Sequence, residues 1–193
     1  GFGKLNHTQF EHDKLDSFLE ISRSKGFIYT HTDLPSHSQN SGACLPDENE
    51  IYFSRFEKAN SEMRQDIQTI ISNDPGAIVI VAGDHGPYLT KNCDILSGHY
   101  ETSEISRLDI QDRFGTFLAI RWPTEEYDMY DEITVLQDIF PAIFAYLYGD
   151  AGILESKIEP VITYSYIISA ASVNNGVIVG GIDNGEPLFL SGE

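Results

Sequence analysis

An aspartate and a histidine are adjacent in the sequence, just after a short apolar segment. The segment, Ala77–Val81, leads through Gly83 to Asp84 and His85, and Gly86 follows. A carboxylate oxygen beside an imidazole nitrogen suits zinc or manganese, and the flanking glycines let the backbone come close to a bound group. The alternative is a polar turn in which the aspartate caps a helix. Other ligand-type residues in the chain decide between these two interpretations.

A second group of ligand-type residues follows another predicted strand. Phe27–Thr30 is typical of a strand, and His31, Asp33 and His37 come directly after it, while His99 lies further along the chain. Together with the first pair, this makes two aspartates and three histidines in addition to His31. Such a set can hold most of a two-metal site, in which one ion activates a nucleophile and the other stabilises the leaving or non-bridging oxygens.

Helix and strand patterns indicate how these residues are positioned. The five apolar residues at 77–81 are too few and too β-branched for a helix, which favours a strand buried on both faces. Apolar residues at steps of three and four predict a long helix over Glu48–Ser72. Further predictions are a helix over Asp13–Ser24, a strand over Phe114–Trp122 and a helix from Asp138 to about Tyr148. Since ligands bind at the carboxyl ends of strands in open parallel sheets, both polar groups are expected at one edge.

The remaining segments are predicted to be loops and a β-rich tail. The polar stretch from Thr90 to Asp112 has the length of a loop that covers a site, with a short helix near its end. The tail, residues 161–193, carries β-branched runs at Val161–Ile168 and Val177–Ile182. A turn at residues 183–185 then precedes Leu188–Leu190, a pattern that favours a β-hairpin.

Composition excludes several classes of function. The chain has 193 residues, 41% of them hydrophobic, and a formal charge of −18 with only 12 Lys and Arg, which argues against a nucleic-acid partner. It has no apolar run long enough for a transmembrane helix and no signal-peptide pattern. The two cysteines, Cys44 and Cys93, each follow a histidine loop. They form either a disulfide that clamps the site in an oxidising compartment or two free thiols.

The order of these motifs resembles a known family. Asp33 and His37 give D-x-x-x-H, and a long helix, an apolar strand with G-D-H-G and a later histidine follow. This order is similar to the C-terminal half of the alkaline phosphatase superfamily, particularly sulfatases and the membrane-anchored phosphoethanolamine and lipoteichoic-acid transferases. The stretch His31–His37 resembles their histidine motif, and 138–141 resembles the D-x-x-P that opens a late helix in sulfatases. The likeness covers roughly residues 20 to 150.

The resemblance implies a fold and a metal site. The fold would be α/β with three layers, α/β/α, around a mostly parallel sheet that is incomplete at its N-terminus. Asp84 and His85 would bind zinc or manganese beside the nucleophile, and two ions would be held in the complete enzyme. His37 and His99 would face the second metal or the substrate's phosphate. In the phosphatase version of the motif Asp33 is a further ligand, whereas in the transferase version His31 and His37 form the substrate-binding pair, and both versions stay open.

The resemblance also implies that part of the enzyme lies elsewhere. The superfamily's nucleophile belongs to an earlier strand, and neither cysteine lies in the C-x-P-x-R setting of a sulfatase. The expectation is a single domain, 1–193, that is the C-terminal portion of a larger extracytoplasmic hydrolase or transferase and is inactive alone. Its substrates would be small-molecule or lipid phosphate or sulfate esters, and a membrane anchor in the full-length protein would be compatible with this. Two alternatives are a recognition domain without metal and a complete small metalloenzyme that uses water directly.

Overall fold

The computed structural model describes residues 7–21, 26–38, 44–91, 93, 100–157 and 171–190. Within 7–21, side chains are described for residues 13–20. In these ranges the chain forms four α-helices: α1 His7–Ile21, α2 Glu48–Asn73, α3 Arg107–Phe114 and α4 Ile139–Tyr148. It also forms four strands: β1 Val79–Ala82, β2 Leu118–Arg121, β3 Ala171–Asn174 and β4 Val177–Gly180. Short 3₁₀ turns complete the described elements at 102–104, 128–130, 136–138 and 151–156.

The three-layer fold with a mostly parallel sheet is wrong. β1 pairs with β2 in an antiparallel ladder, with Ile80 opposite Ile120, and β3 pairs with β4 in a second antiparallel ladder. Among the described residues these two-stranded sheets are the only ones, so the protein is a mixed α/β structure without a large parallel sheet. The physical reason is that a short apolar run indicates a strand but not the direction of its partner. β1 is also only partly buried, not covered on both faces.

The strand predicted at Phe27–Thr30 is also wrong. The described segment 26–38 contains no strand, and its aromatic side chains lie in solvent, with Phe27 73% and Tyr29 75% exposed. Alternating aromatic and β-branched residues favour a strand only where a ladder partner and a packing surface exist. In the structure Phe27 instead contacts Phe140 of α4, with ring centroids 6.3 Å apart.

The first apolar core joins β1 and β2 to α4. Alternate residues of the two strands, Ile80 and Ile120 among them, pack against Trp122, Ile139 and Ile143. This confirms the helix predicted from Asp138 to Tyr148. Asp138 occupies the N-cap position, but its carboxylate accepts a hydrogen bond from the Thr134 amide rather than from the helix. The core fixes β1 and therefore the loop that leaves it.

The second core lies between α3 and the tail. It contains Ile105, Ile110, Ala171, Val173, Ile178 and Leu188. The hairpin of the tail is β3–β4, one turn upstream of the predicted one, with both central residues of its turn at positive φ, Asn175 at 49° and Gly176 at 74°. That is the Asn-Gly geometry of a tight hairpin turn. The predicted pairing across residues 183–185 is reduced to a single bridge, Val177 with Pro187, and Val161–Ile168 lies outside the described residues.

The two N-terminal helices pack on each other. Lys14 of α1 is 3% exposed and donates to Asp66 of α2 at 2.7 Å. α1 spans His7–Ile21, whereas the sequence predicts Asp13–Ser24; α2 agrees with its prediction to within one residue. No helix in the described ranges combines the length and hydropathy required to cross a membrane.

Candidate functional site

The Asp-His pair lies in the loop that leaves β1, as predicted. The ladder with β2 continues for one more hydrogen bond, from the Gly83 amide to the Phe117 carbonyl at 2.9 Å. Beyond it the chain turns away, and Asp84 and His85 stand at the end of the strand. A Cβ on Gly83 would lie 2.5 Å from Oγ1 of Thr116, so a side chain at this position would require the threonine hydroxyl to move.

The loop is then fastened to the C-terminal end of α3. The Gly86 amide donates to the Arg113 carbonyl at 3.0 Å, and a Cβ on Gly86 would lie 2.1 Å from the Asp112 carbonyl oxygen. The side chain of Asp112 accepts hydrogen bonds from the amides of Leu89 and Thr90 at 2.9 and 3.1 Å, and from the Thr90 hydroxyl. These contacts hold the loop after His85 against the end of α3.

Burial gives Asp112 a pH-dependent effect on stability. Desolvation raises the pKa of this carboxyl, against the lowering by its hydrogen bonds from Leu89 and Thr90. Because the folded protein then holds the proton more tightly than the unfolded chain, this contribution to stability is fully present below the unfolded pKa of about 3.9 and is lost as pH rises through the raised folded pKa. We therefore expect the stability of the wild type relative to Asp112→Asn to fall as pH rises above 4. Urea unfolding of both proteins at several pH values measures this difference, and a difference that is flat or rises with pH would refute it.

Two links, one disulfide and one hydrogen bond, bring the two histidine loops together. Cys44 and Cys93 form a disulfide with their Cα atoms 4.7 Å apart. The Ser38 amide donates to the Pro87 carbonyl at 2.8 Å. The sequence left a disulfide and two free thiols open, and the structure has the disulfide. It joins the stretch after His37 to the stretch after His85.

The rings of His37 and His85 are neighbours, with centroids 5.8 Å apart. In each residue Nδ1 lies within hydrogen-bond distance of the next residue's carbonyl, at 2.7 Å for His37 and 2.8 Å for His85. Since a carbonyl only accepts, Nδ1 must donate its proton. In the neutral ring Nε2 is then the basic nitrogen, which is the tautomer that a metal ligand needs.

The ring of Tyr88 packs against both histidines. Its ring stacks on His85 at 4.6 Å with an interplanar angle of 9°, and its centroid lies 5.3 Å from that of His37. The guanidinium carbon of Arg113 lies 4.4 Å from the same ring. Tyr88 has a φ of 60° and is 5% exposed. A bulky residue keeps such a backbone only where its surroundings hold it.

Asp84 supplies the negative charge of the site. Its side chain is 80% exposed, and its Oδ2 lies 3.7 Å from Nε2 of His85. It also acts on Arg113: burial lowers the pKa of that guanidinium, and the Asp84 carboxylate opposes the lowering. The site therefore combines two imidazoles, one carboxylate and one arginine.

Two other predicted residues are not brought into this arrangement. Asp33 is exposed, and His31 is exposed with its Nδ1 3.5 Å from the Tyr29 hydroxyl. His99 lies outside the described residues. Within the described ranges, no group of three or more His, Cys, Asp or Glu side chains is placed to hold a metal ion.

The centroid distance between the two histidine rings is close to that of two imidazoles on one zinc ion. Two imidazoles on a tetrahedral ion, with Zn–N bonds of about 2.0 Å, would have ring centroids about 5 Å apart, close to the 5.8 Å between His37 and His85. Zinc or manganese binding by these residues stays a prediction.

Sequence reasoning missed Tyr88, Asp112 and Arg113. Tyr88 follows the G-D-H-G-P stretch directly, which was a usable signal for a residue close to the site. The other two are adjacent at the end of α3, and nothing in their sequence setting indicates which loop that helix end contacts.

Comparisons with protein-family models, with curated proteins and with solved structures found no match to this chain.

Proposed function

We propose that this chain contributes the metal-binding part of a hydrolase or transferase acting on phosphate or sulfate esters. The observation that carries the proposal is the approach of the His37 and His85 rings to 5.8 Å. They come from loops 48 residues apart in sequence. His37 and His85, with Asp84 beside them, would bind zinc or manganese.

The charge of the chain supports a metal in this role. With a formal charge of −18, the protein repels an anionic ester unless local positive charge receives it. A divalent ion bound there would supply Lewis-acid polarisation of the ester oxygens. The nucleophile is assigned by the family resemblance to a segment that this chain does not contain, so the chain alone is proposed to bind metal and not to turn over substrate.

The disulfide supports an extracytoplasmic location for the protein. Disulfides persist in the periplasm, in the secretory lumen and outside the cell, whereas the cytosol keeps thiols reduced. Cys44–Cys93 joins the loops that carry the proposed ligands. A reducing compartment would therefore release one of the two links between the loops.

Zinc titration of four proteins tests the proposal. We expect His37→Ala and His85→Ala each to lower zinc affinity tenfold or more relative to wild type, because each removes one of two imidazole ligands. His31→Ala is the matched control, since it removes an exposed histidine of the same loop that contacts Tyr29. Calorimetry with a competing chelator gives the affinities.

The same titration distinguishes the alternative function. If wild type and all three variants bind zinc equally weakly, or if only His31→Ala loses binding, the histidine pair is not a metal site. The recognition domain without metal would then be the better account. Its surface would include the exposed aromatic residues Phe27 and Tyr29.

A further inference from the structure

The guanidinium of Arg113 contacts the ring of Tyr88 beside the site. Its central carbon lies 4.4 Å from the centroid of the Tyr88 ring, and that ring stacks on His85 at 4.6 Å. Both groups therefore lie against the ring of Tyr88, which is 5% exposed.

One nitrogen of Arg113 has no acceptor. Nη1 is buried and makes no hydrogen bond within the described part of the chain. Buried polar atoms in proteins are almost always paired, and an orphan indicates a missing water, ion or ligand. The missing group must be an acceptor, and an anion is the acceptor that binds a guanidinium most strongly, because this group carries five donors and always a positive charge.

The charges around Arg113 point to the same conclusion. The Asp84 carboxylate acts on the guanidinium from a distance, and no hydrogen bond joins them among the described contacts. A cation bound by Asp84 would neutralise that carboxylate. Arg113 would then be a partly desolvated positive charge beside the histidine pair, without a counter-charge.

We propose that Arg113 binds a tetrahedral oxyanion, the phosphoryl or sulfuryl group of an ester, at the edge of Tyr88 next to His85. The inference rests on the proposed function for the identity of the ester and adds the residue that recognises its anionic group. A planar fork of donors matches two oxygens of such an anion, which a lysine does not. Because Asp84 competes for the same guanidinium, metal and anion are expected to strengthen each other's binding.

Titration with inorganic phosphate, and separately with sulfate, tests the proposal on the metal-free chain and on the zinc-loaded chain. We expect Arg113→Gln to lower affinity for the tighter anion tenfold or more in both forms, and Arg113→Lys to lower it less. Arg64→Gln is the matched control, because Arg64 is an exposed arginine of α2. The anion that binds more tightly identifies the ester class.

Equal anion affinity of wild type and Arg113→Gln, or no anion binding by wild type in either form, would overturn the proposal. If Arg113→Gln does not fold, modification of Arg113 by phenylglyoxal in the wild type decides. Slower modification in phosphate, with Arg64 unaffected, supports the site, and an unchanged rate refutes it. If zinc binds but the anion affinity does not depend on Arg113, the proposed function stands and this inference is refuted. If the anion affinity depends on Arg113 but zinc does not bind, this inference is supported and the proposed metal-binding function is refuted.

Discussion

Removing the Cys44–Cys93 disulfide is expected to destabilise the protein by about 4 kcal/mol, since the bridge closes a loop across a sequence separation of 49 residues. The effect comes mainly from the unfolded chain, whose conformational freedom the bridge restricts. Removing the disulfide also releases the stretch after His37 from the loop that carries His85. Zinc affinity should therefore fall together with stability.

Urea unfolding of oxidised wild type, reduced wild type and Cys44→Ser/Cys93→Ser measures the effect. Reduced wild type and the double variant should unfold at similar urea concentrations, both well below oxidised wild type. The double variant should not respond to reductant, which makes it the control for other effects of the reducing agent. Identical midpoints for oxidised and reduced wild type would contradict this expectation.

Gly86→Ala is expected to cost about 3 kcal/mol, because the added methyl group overlaps rigid backbone rather than a movable side chain. Its Cβ would lie 2.1 Å from the Asp112 carbonyl oxygen, 2.6 Å from the carbonyl carbon and 3.1 Å from the Gly115 carbonyl oxygen. The loop can relieve this overlap only by leaving α3. That movement would displace His85 from His37 and reduce zinc binding as well as stability.

Gly76→Ala is the matched control for this substitution. Gly76 lies in the turn before β1, and the nearest atom to its added Cβ is a side-chain oxygen of Asp74 at 3.2 Å. Its stability is expected to stay within about 1 kcal/mol of wild type. If Gly86→Ala unfolds at the same denaturant concentration as Gly76→Ala, the close contact between the loop and α3 is not rigid.

Local patterns predicted the helices, whereas strand pairing depended on contacts that local patterns do not encode. α2 and α4 have apolar stripes over two or more turns, and both were found where periodicity placed them. β1 was found as a strand, but its direction relative to β2 is set by tertiary contacts. The hairpin of the tail could have been placed correctly, because Asn175-Gly176 is a stronger turn signal than Asp183-Asn184-Gly185.

The candidate site was also predictable only where local sequence patterns mark it. Histidines and aspartates that follow apolar runs are visible in the sequence, and two of them, His37 and His85, come together. Tyr88 and Arg113 join the site through the docking of α3 onto the loop after β1, and this long-range contact has no local signature. The predicted metal ligand Asp33 and the predicted substrate-binding residue His31 are exposed residues of a segment that forms no strand.

The most direct test of the central claim is a long-range ¹H–¹⁵N spectrum of the histidine rings, recorded with and without zinc. Both His37 and His85 should have a protonated Nδ1 before zinc is added, and their Nε2 signals should shift together at one equivalent. The His31 signals should stay unchanged. If Nε2 of His37 and His85 keeps its shift in the presence of zinc while another histidine responds, the metal site lies elsewhere and the account is contradicted.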